Sequence, residues 1–173
     1  MSSAPPLTRI DYGSFTDPRD PGEACYSSKI PRVSVTLGEA DILADLVRGL
    51  SVLEVGTGIA VSTRALARTA LSVVTVDVDP WVQTEIWPYV LADCPNVRTL
   101  SEIPDEMFDA VFIDANHTTA AVRNDIALTR ARCRRLMIFH DVNYASVREG
   151  VEAEFQNVET IQSAHGIGIV RFS

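Results

Sequence analysis

Cysteine is scarce in this sequence, and the few cysteines form no recognisable pattern. The chain has three, Cys25, Cys94 and Cys133, with no CxxC pair among them. An odd number without close spacing argues against a disulfide framework and against a cysteine-rich zinc site. This usage fits a reducing compartment, and we therefore expect a cytoplasmic protein.

Long apolar runs are also absent. No run approaches the roughly 18–20 residues that are needed to cross a membrane. The N-terminal stretch MSSAPPLTRIDYG lacks the basic patch and apolar core of a signal peptide. We therefore expect no membrane contact.

Basic residues are fewer than acidic ones, 15 against 23, and the net charge is −8. This argues against nucleic acid as the main partner, because phosphate binding needs a basic surface. One local exception is an arginine group comprising Arg123, Arg130, Arg132, Arg134 and Arg135. We interpret it as a solvated helix end whose cations suit the helix dipole. A contact with an anion or with a second subunit is the alternative.

The 173 residues, 46% hydrophobic and 22% charged, are typical of one globular domain. Residues 1–35 are rich in Pro, Ser, Asp and Gly, which predicts an irregular N-terminal arm ahead of a domain over residues 36–173. The arm is either a frayed tail or, because it contains Tyr12, Phe15 and Tyr26, a lid or a subunit contact.

From residue 36 onwards, helical patterns alternate with short apolar strands. Capping boxes, Thr36 with Glu39 and Ser146 with Glu149, mark two helix starts, and a further helix is predicted over residues 118–133. Near-continuous apolar strands between helices predict an α/β fold with a doubly wound, mostly parallel sheet and helices on both faces. The last two strands have no helix between them, which predicts an antiparallel strand at one edge.

A glycine turn follows the first predicted strand. In such sheets the ligand binds at the carboxyl ends of the strands, and Gly56 and Gly58 allow a tight turn with close backbone approach. Asp77 ends the second strand 21 residues after Gly56, a spacing that suits a carboxylate binding ribose hydroxyls. The pattern predicts a nucleotide-like ligand, although glycines that serve only the turn are an alternative. A dinucleotide motif would have a third glycine where Val61 stands.

With these motifs, the chain resembles class I S-adenosylmethionine (SAM)-dependent methyltransferases over about residues 36–172. LEVGTGIA is similar to their first motif and VDVDP to their second. The resemblance implies a Rossmann-like, seven-stranded sheet and SAM as the cofactor. It implies the following cofactor-binding residues: Glu54 as the acidic residue of the first motif, Gly56, Thr57 and Gly58 at the methionine part, Ser62 and Thr63 near its carboxylate, Asp77 at the ribose, Ser101 and Glu102 near the adenine, and Asp114.

A second group of polar residues follows the fourth and fifth strands. Asp114 and His117 come after FDAVFI, and His140 and Asp141 come after RLMIF. Because the ends of these strands are neighbours, we expect the four side chains to converge beside the cofactor. Aspartate and histidine can bind a divalent cation, and histidine is the natural general base. Each residue could instead cap a helix or form a turn.

This half of the chain resembles a methyltransferase group that includes metal-dependent O-methyltransferases acting on macrolide sugars. The resemblance implies Asp114 and Asp141 as metal ligands, His117 as the catalytic base and a cation such as Mg²⁺. Those enzymes have a glutamate in place of His140, so His140 is either a third ligand, to a different metal, or a hydrogen-bond partner of Asp114. The family's Pro-Gly-Gly turn before the fifth strand is replaced by RARCRRL.

The sequence therefore predicts a small methyltransferase that moves a methyl group from SAM to a hydroxyl oxygen of a small molecule. A homodimer is the ordinary expectation for an enzyme of this size. Two alternatives stay open: an NAD-dependent oxidoreductase on a similar sheet, and a non-catalytic cofactor-binding protein. His165 is predicted to be a plain turn residue.

Overall fold

A computed structural model describes residues 34–172 of the chain. Almost all of the predicted arm, with Tyr12, Phe15 and Tyr26, lies outside these residues. Val35 is fully buried in the core, so the folded body includes at least the last residue assigned to the arm. Within residues 34–172, no helix is long and apolar enough to cross a membrane.

The described residues form seven strands and five α-helices. The helices are α1 (Leu37–Leu46), α2 (Val61–Ala67), α3 (Trp87–Val90), α4 (Thr119–Thr129) and α5 (Ala145–Glu154). A π-helical turn, Val82–Ile86, precedes α3, and a 3₁₀ turn, Arg130–Arg132, follows α4. The strands are β1 (Ser51–Val55), β2 (Ser72–Val76), β3 (Val97–Leu100), β4 (Phe108–Ile113), β5 (Cys133–Phe139), β6 (Glu159–Ile161) and β7 (Ile167–Arg171).

One mixed sheet holds all seven strands in the order β3-β2-β1-β4-β5-β7-β6. The first five of these run parallel, whereas β7 is antiparallel to both β5 and β6. The predicted doubly wound, mostly parallel fold is confirmed, and its antiparallel strand lies in the outermost pair, one position inside β6. Strand order reverses between β1 and β4, which is where such sheets bind ligands.

The two faces of the sheet bury separate apolar layers. On one face Leu43 of α1 and Leu66 of α2 pack against Phe112 and Ile138. On the other face, Val122 of α4 and Val151 of α5 pack with Val111, Met137 and other alternate strand residues. Burial on both sides explains why the central strands are continuous apolar runs and fixes their carboxyl ends at one edge of the sheet.

Two local predictions were wrong. The helix predicted over residues 118–133 ends at Thr129, and Cys133 instead begins β5. Ser146 and Glu149 form no capping box, since Tyr144 occupies the N-cap of α5 without a side-chain cap. The Ser146 hydroxyl donates instead to the carbonyl oxygen of His117 at 2.6 Å. That bond links α5 to the loop after β4.

The capping box at α1 is confirmed. The Thr36 hydroxyl accepts from the backbone N–H of Glu39, while the Glu39 carboxylate accepts from the N–H of Thr36 at 2.9 Å. Both partners satisfy donors that a helix start leaves free. Glu39 is nevertheless only 1% exposed, which is unusual for a capping carboxylate and indicates further partners.

Gly56 determines how closely the ends of β1 and β4 approach. Its φ is +96°, and a β-carbon at this position would lie 2.2 Å from the carbonyl oxygen of Asp114. Hydrogen bonding between neighbouring strands also continues beyond the strand ends. The N–H of Gly56 donates to the carbonyl oxygen of Val76, and the N–H of Asp114 donates to that of Val55, each at 2.9 Å. Only glycine tolerates both the positive φ and the close approach of the Asp114 backbone.

We expect Gly56→Ala to lower the free energy of unfolding by about 3–5 kcal/mol, because it adds a steric clash to backbone strain. Chemical denaturation of both proteins measures this difference. Gly49→Ala is the matched control, because Gly49 has a φ of +72° but no atom within 4 Å of the added carbon. It should cost only about 1–2 kcal/mol. Equal losses for the two variants would show that the approach to Asp114 is unimportant.

Candidate functional site

A cavity of about 1070 Å³ opens at the carboxyl ends of the parallel strands, where strand order reverses. Nearly all of the residues that the sequence assigned to a ligand site line this one cavity. They are Gly56, Thr57, Gly58, Ser62, Asp77, Ser101, Glu102, Asp114, His117, His140 and Asp141. The two predicted groups therefore form adjoining parts of a single cavity.

Asp77 anchors the glycine turn. Its Oδ2 atom accepts the backbone N–H groups of Thr57 and Gly58, each at 3.0 Å, and its Oδ1 atom accepts the N–H of Asp79 at 2.9 Å. The carboxylate thus holds the turn in place while remaining part of the cavity wall. Each carboxylate oxygen can accept more than one hydrogen bond, so binding of ribose hydroxyls stays a prediction that this geometry permits.

Glu54 and Thr63 do not line the cavity, and their role in cofactor binding stays a prediction. Glu54 is fully buried in β1 and accepts hydrogen bonds from the hydroxyls of Ser62 at 2.6 Å and Thr63 at 2.5 Å. Burial raises the pKa of Glu54 to about 7, against the effect of these two hydrogen bonds. Its role in this structure is to fix the start of α2 against β1.

Asp114 and His140 follow directly on adjacent strands. The N–H of Asp114 donates to Val55, and the N–H of His140 donates to Ile113 at 3.2 Å, so sheet pairing continues to the residues themselves. The His140 side chain is 2% exposed, and its Nδ1 atom lies 3.3 Å from Asp114 Oδ1 and 3.2 Å from Asp141 Oδ2. The strands thus bring one buried imidazole against two carboxylates.

Asp141 has a φ of +61°, in the left-handed region that residues other than glycine seldom adopt. Its Oδ2 atom lies 3.0 Å from His117 Nε2 as well as near His140. Unusual backbone conformations of this kind concentrate at functional sites. His117, half exposed, stacks on Tyr144 with ring centroids 5.9 Å apart and an angle of 12° between the planes.

The carboxylates keep both imidazoles protonated in this arrangement. The neighbouring carboxylates, first Asp114 and then Asp141, raise the pKa of His117 to about 10. Burial opposes protonation of His140, but its contacts with Asp114, Asp141 and Glu39 outweigh burial and raise its pKa to about 12. The pKa values of Asp114 and Asp141 are lowered by the same contacts, despite burial. His117 can therefore act as a base only after the negative charge of Asp114 and Asp141 is compensated and its pKa falls.

Sequence analysis missed Glu39 and His165 as members of this network. Glu39 Oε1 accepts from the Ser163 hydroxyl and from the N–H of His165, each at 2.8 Å. Glu39 Oε2 lies 3.0 Å from His165 Nδ1 and 3.4 Å from His140 Nε2. Glu39 and His165 are separated by 126 residues, and no local spacing pattern relates them.

Asp114, His140 and Asp141 fit a divalent cation as a set. Each offers one ligand atom, and the three atoms lie within 4.8 Å of one another. The spacings of 3.2 and 3.3 Å from Nδ1 resemble the roughly 3 Å between neighbouring ligands that each lie about 2.1 Å from one ion. A nitrogen beside two carboxylates suits Mn²⁺, Fe²⁺ or Zn²⁺ better than Mg²⁺, which prefers oxygen ligands.

No protein-family model matches the sequence, and no curated protein sequence matches it either. Solved structures do match. An O-methyltransferase from Bacillus cereus in complex with S-adenosylhomocysteine (SAH) has a TM-score of 0.65 at 20% identity, over 84% of this chain and 86% of that one. The O-methyltransferase TomG from Streptomyces achromogenes, involved in tomaymycin synthesis and in complex with SAM, has a TM-score of 0.65 at 17% identity, over 82% of each chain.

A protein methylase matches to a similar degree. The ribosomal protein L11 methylase from Lactobacillus delbrueckii has a TM-score of 0.62 at 19% identity, over 76% of each chain. These likenesses establish that the chain has the fold of class I SAM-dependent methyltransferases. At such identities, and with acceptors as different as these names imply, the fold does not identify the acceptor.

We expect Asp141→Asn to lower the pKa of His117 from about 10 towards its ordinary value near 6.5. The variant removes one of the two carboxylates that stabilise the imidazolium form. An NMR titration of the His117 ring measures the change. Glu102→Gln is the control, since this exposed carboxylate lies in the same cavity without contacting the ring, and it should leave the titration unchanged. An unaltered His117 pKa in Asp141→Asn would contradict the assigned cause.

Proposed function

We propose that this protein transfers a methyl group from SAM to a hydroxyl oxygen of a small molecule. One observation carries the proposal: the glycine turn held by Asp77 and the cluster of Asp114, His117, His140 and Asp141 line the same cavity. The first part suits the cofactor and the second suits an acceptor that must lose a proton. The methyltransferase fold, found in solved complexes with SAH and SAM, supports the cofactor assignment.

The cluster favours oxygen as the acceptor atom. A hydroxyl is a weak nucleophile until it loses its proton, so methylation of oxygen needs a group that accepts a proton at the acceptor. His117 is half exposed at the cavity and is oriented by Asp141 at 3.0 Å. The remaining catalysis comes from alignment, since the acceptor oxygen must approach the methyl group of the cofactor in line with the bond that breaks.

Within the proposal, Asp114, His140 and Asp141 hold a divalent cation. Such an ion, when bound, supplies Lewis acidity that lowers the pKa of an acceptor hydroxyl. The carboxylates of Asp114 and Asp141 also raise the pKa of His117. A cation that compensated their charge would favour the neutral imidazole, which is the form that a general base requires. Tyr144, stacked on His117, limits rotation of the ring at the mouth of the cavity.

Binding of the cofactor product gives the first test. We expect SAH to bind in isothermal titration calorimetry and NAD not to bind. Asp77→Asn should weaken SAH binding at least about tenfold, because an amide has one accepting oxygen and cannot hold both the N–H groups of Thr57 and Gly58 and the N–H of Asp79. Asp45→Asn, on the exposed end of α1, is the control and should bind as the wild type does. Binding of NAD without SAH would favour the oxidoreductase alternative.

Turnover gives the second test. We expect methyl transfer from SAM to members of a panel of polyols and catechols, dependent on Mn²⁺ or Mg²⁺ and abolished by a chelator. His117→Ala should lower kcat by about 10²–10⁴-fold, with SAH affinity retained. Product can be followed by mass spectrometry. Full activity of His117→Ala would exclude His117 as the base, and full activity with chelator would exclude the cation.

A further inference from the structure

One buried nitrogen in the site has no hydrogen-bond partner. His140 Nε2 is enclosed on the side of the ring away from Asp114 and Asp141, and no donor or acceptor within residues 34–172 forms a hydrogen bond with it. Glu39 Oε2 lies 3.4 Å from it, close enough for an ion pair but not aligned as a hydrogen bond. A buried ring nitrogen in this situation is costly unless an acceptor engages it.

The Glu39 carboxylate is held in place from three directions. The N–H and hydroxyl of Thr36 donate to Oε2, each at 2.9 Å. The Ser163 hydroxyl and the N–H of His165 donate to Oε1, each at 2.8 Å. Burial raises the pKa of Glu39, but the neighbouring His140 ring and the backbone N–H groups of Thr36 and His165 outweigh burial and lower it. The carboxylate is therefore a fixed, anionic acceptor next to His140.

A role in capping α1 does not explain this burial. A capping carboxylate needs to reach only the first turn of its helix, and such groups are usually solvated. Glu39 is instead 1% exposed and connects α1 to the turn between β6 and β7. Burying a charge without a specific partner is unfavourable. The position of Oε2 beside His140 supplies a reason for it.

The chemistry of a neutral imidazole defines what that partner does. If Nδ1 directs its lone pair towards the side occupied by Asp114 and Asp141, the single ring proton must lie on Nε2. A ligand histidine ordinarily donates that second N–H to a carboxylate, which fixes both the tautomer and the ring orientation. Among the described residues, Glu39 is the carboxylate within 3.5 Å of Nε2.

We propose that Glu39 is a positioning residue that accepts the Nε2 proton of His140 and so presents Nδ1 to Asp114 and Asp141. The effect of Glu39 on a bound cation rests on the proposed function, because Nδ1 would then be a ligand atom. Its effect on the proton at Nε2 does not depend on that function. A helix outside the cavity wall, α1, would thereby determine how the site is arranged.

The first experiment follows the ring protons of His140 by ¹H–¹⁵N NMR in the metal-free wild-type protein, where the imidazolium carries one proton on each nitrogen. We expect His140 Nε2 to carry a proton that exchanges slowly with solvent, and Glu39→Gln to remove this protection. A wild-type Nε2 proton that exchanges as rapidly as that of an exposed ring, or a neutral His140 with its proton on Nδ1 alone, would overturn the proposal even if Glu39→Gln does not fold.

The second experiment measures Mn²⁺ affinity by calorimetry. Glu39→Gln should weaken it by about 10–100-fold, the usual effect of losing the partner of a ligand histidine. Asp41→Asn is the matched control, because it neutralises another carboxylate of α1, an exposed one that pairs with Arg68 at 2.6 Å. It should leave Mn²⁺ affinity within about twofold. Equal affinity losses in the two variants would overturn a specific role of Glu39.

The two experiments separate this inference from the proposed function. A wild-type protein that binds SAH but no Mn²⁺ would remove the cation from the proposed function, while a protected proton on His140 Nε2 would still support the role of Glu39. A protein that binds Mn²⁺ but carries no proton on Nε2 would retain the cation and overturn the role of Glu39.

Discussion

The buried imidazole of His140 is the point on which the site depends. It is surrounded by the carboxylates of Asp114, Asp141 and Glu39 at 3.2 to 3.4 Å. None of these charges would be stable in the interior alone, since each needs the opposite charge beside it. Three elements therefore meet at this ring: the ends of β4 and β5 and the first turn of α1. Replacing a ring proton of His140, or neutralising one of these carboxylates, therefore changes the electrostatic potential of the whole cavity.

The parallel sheet explains why these groups meet. Neighbouring strands end at one edge, and the reversal of strand order between β1 and β4 opens a cavity there. Gly56 lets the glycine turn touch the backbone of Asp114, so the part of the cavity suited to a cofactor lies directly against the acid–imidazole cluster. In the proposed function, this contact places the methyl donor and the acceptor in one cavity.

Much of this arrangement could be predicted from the sequence because it follows from local patterns and from the rules of parallel sheets. Asp114 and His140 end apolar runs, and such runs have neighbouring carboxyl ends. Glu39 could not be predicted in the same way, because its capping box with Thr36 is a complete local explanation and its other partners are remote in sequence. Similarly, Glu54 belongs to a recognisable motif, but whether it faces a ligand or the interior is decided by tertiary packing.

The central claim is that the cavity combines a SAM site with a cation site on Asp114, His140 and Asp141. The most direct measurement is a crystal structure of the protein with SAH and Mn²⁺, with data collected to detect the anomalous signal of manganese. We expect an anomalous peak within coordination distance of both aspartates and of His140 Nδ1, with SAH against the glycine turn and Asp77. SAH bound in that cavity without any manganese peak between the aspartates, or SAH bound elsewhere, would contradict this claim.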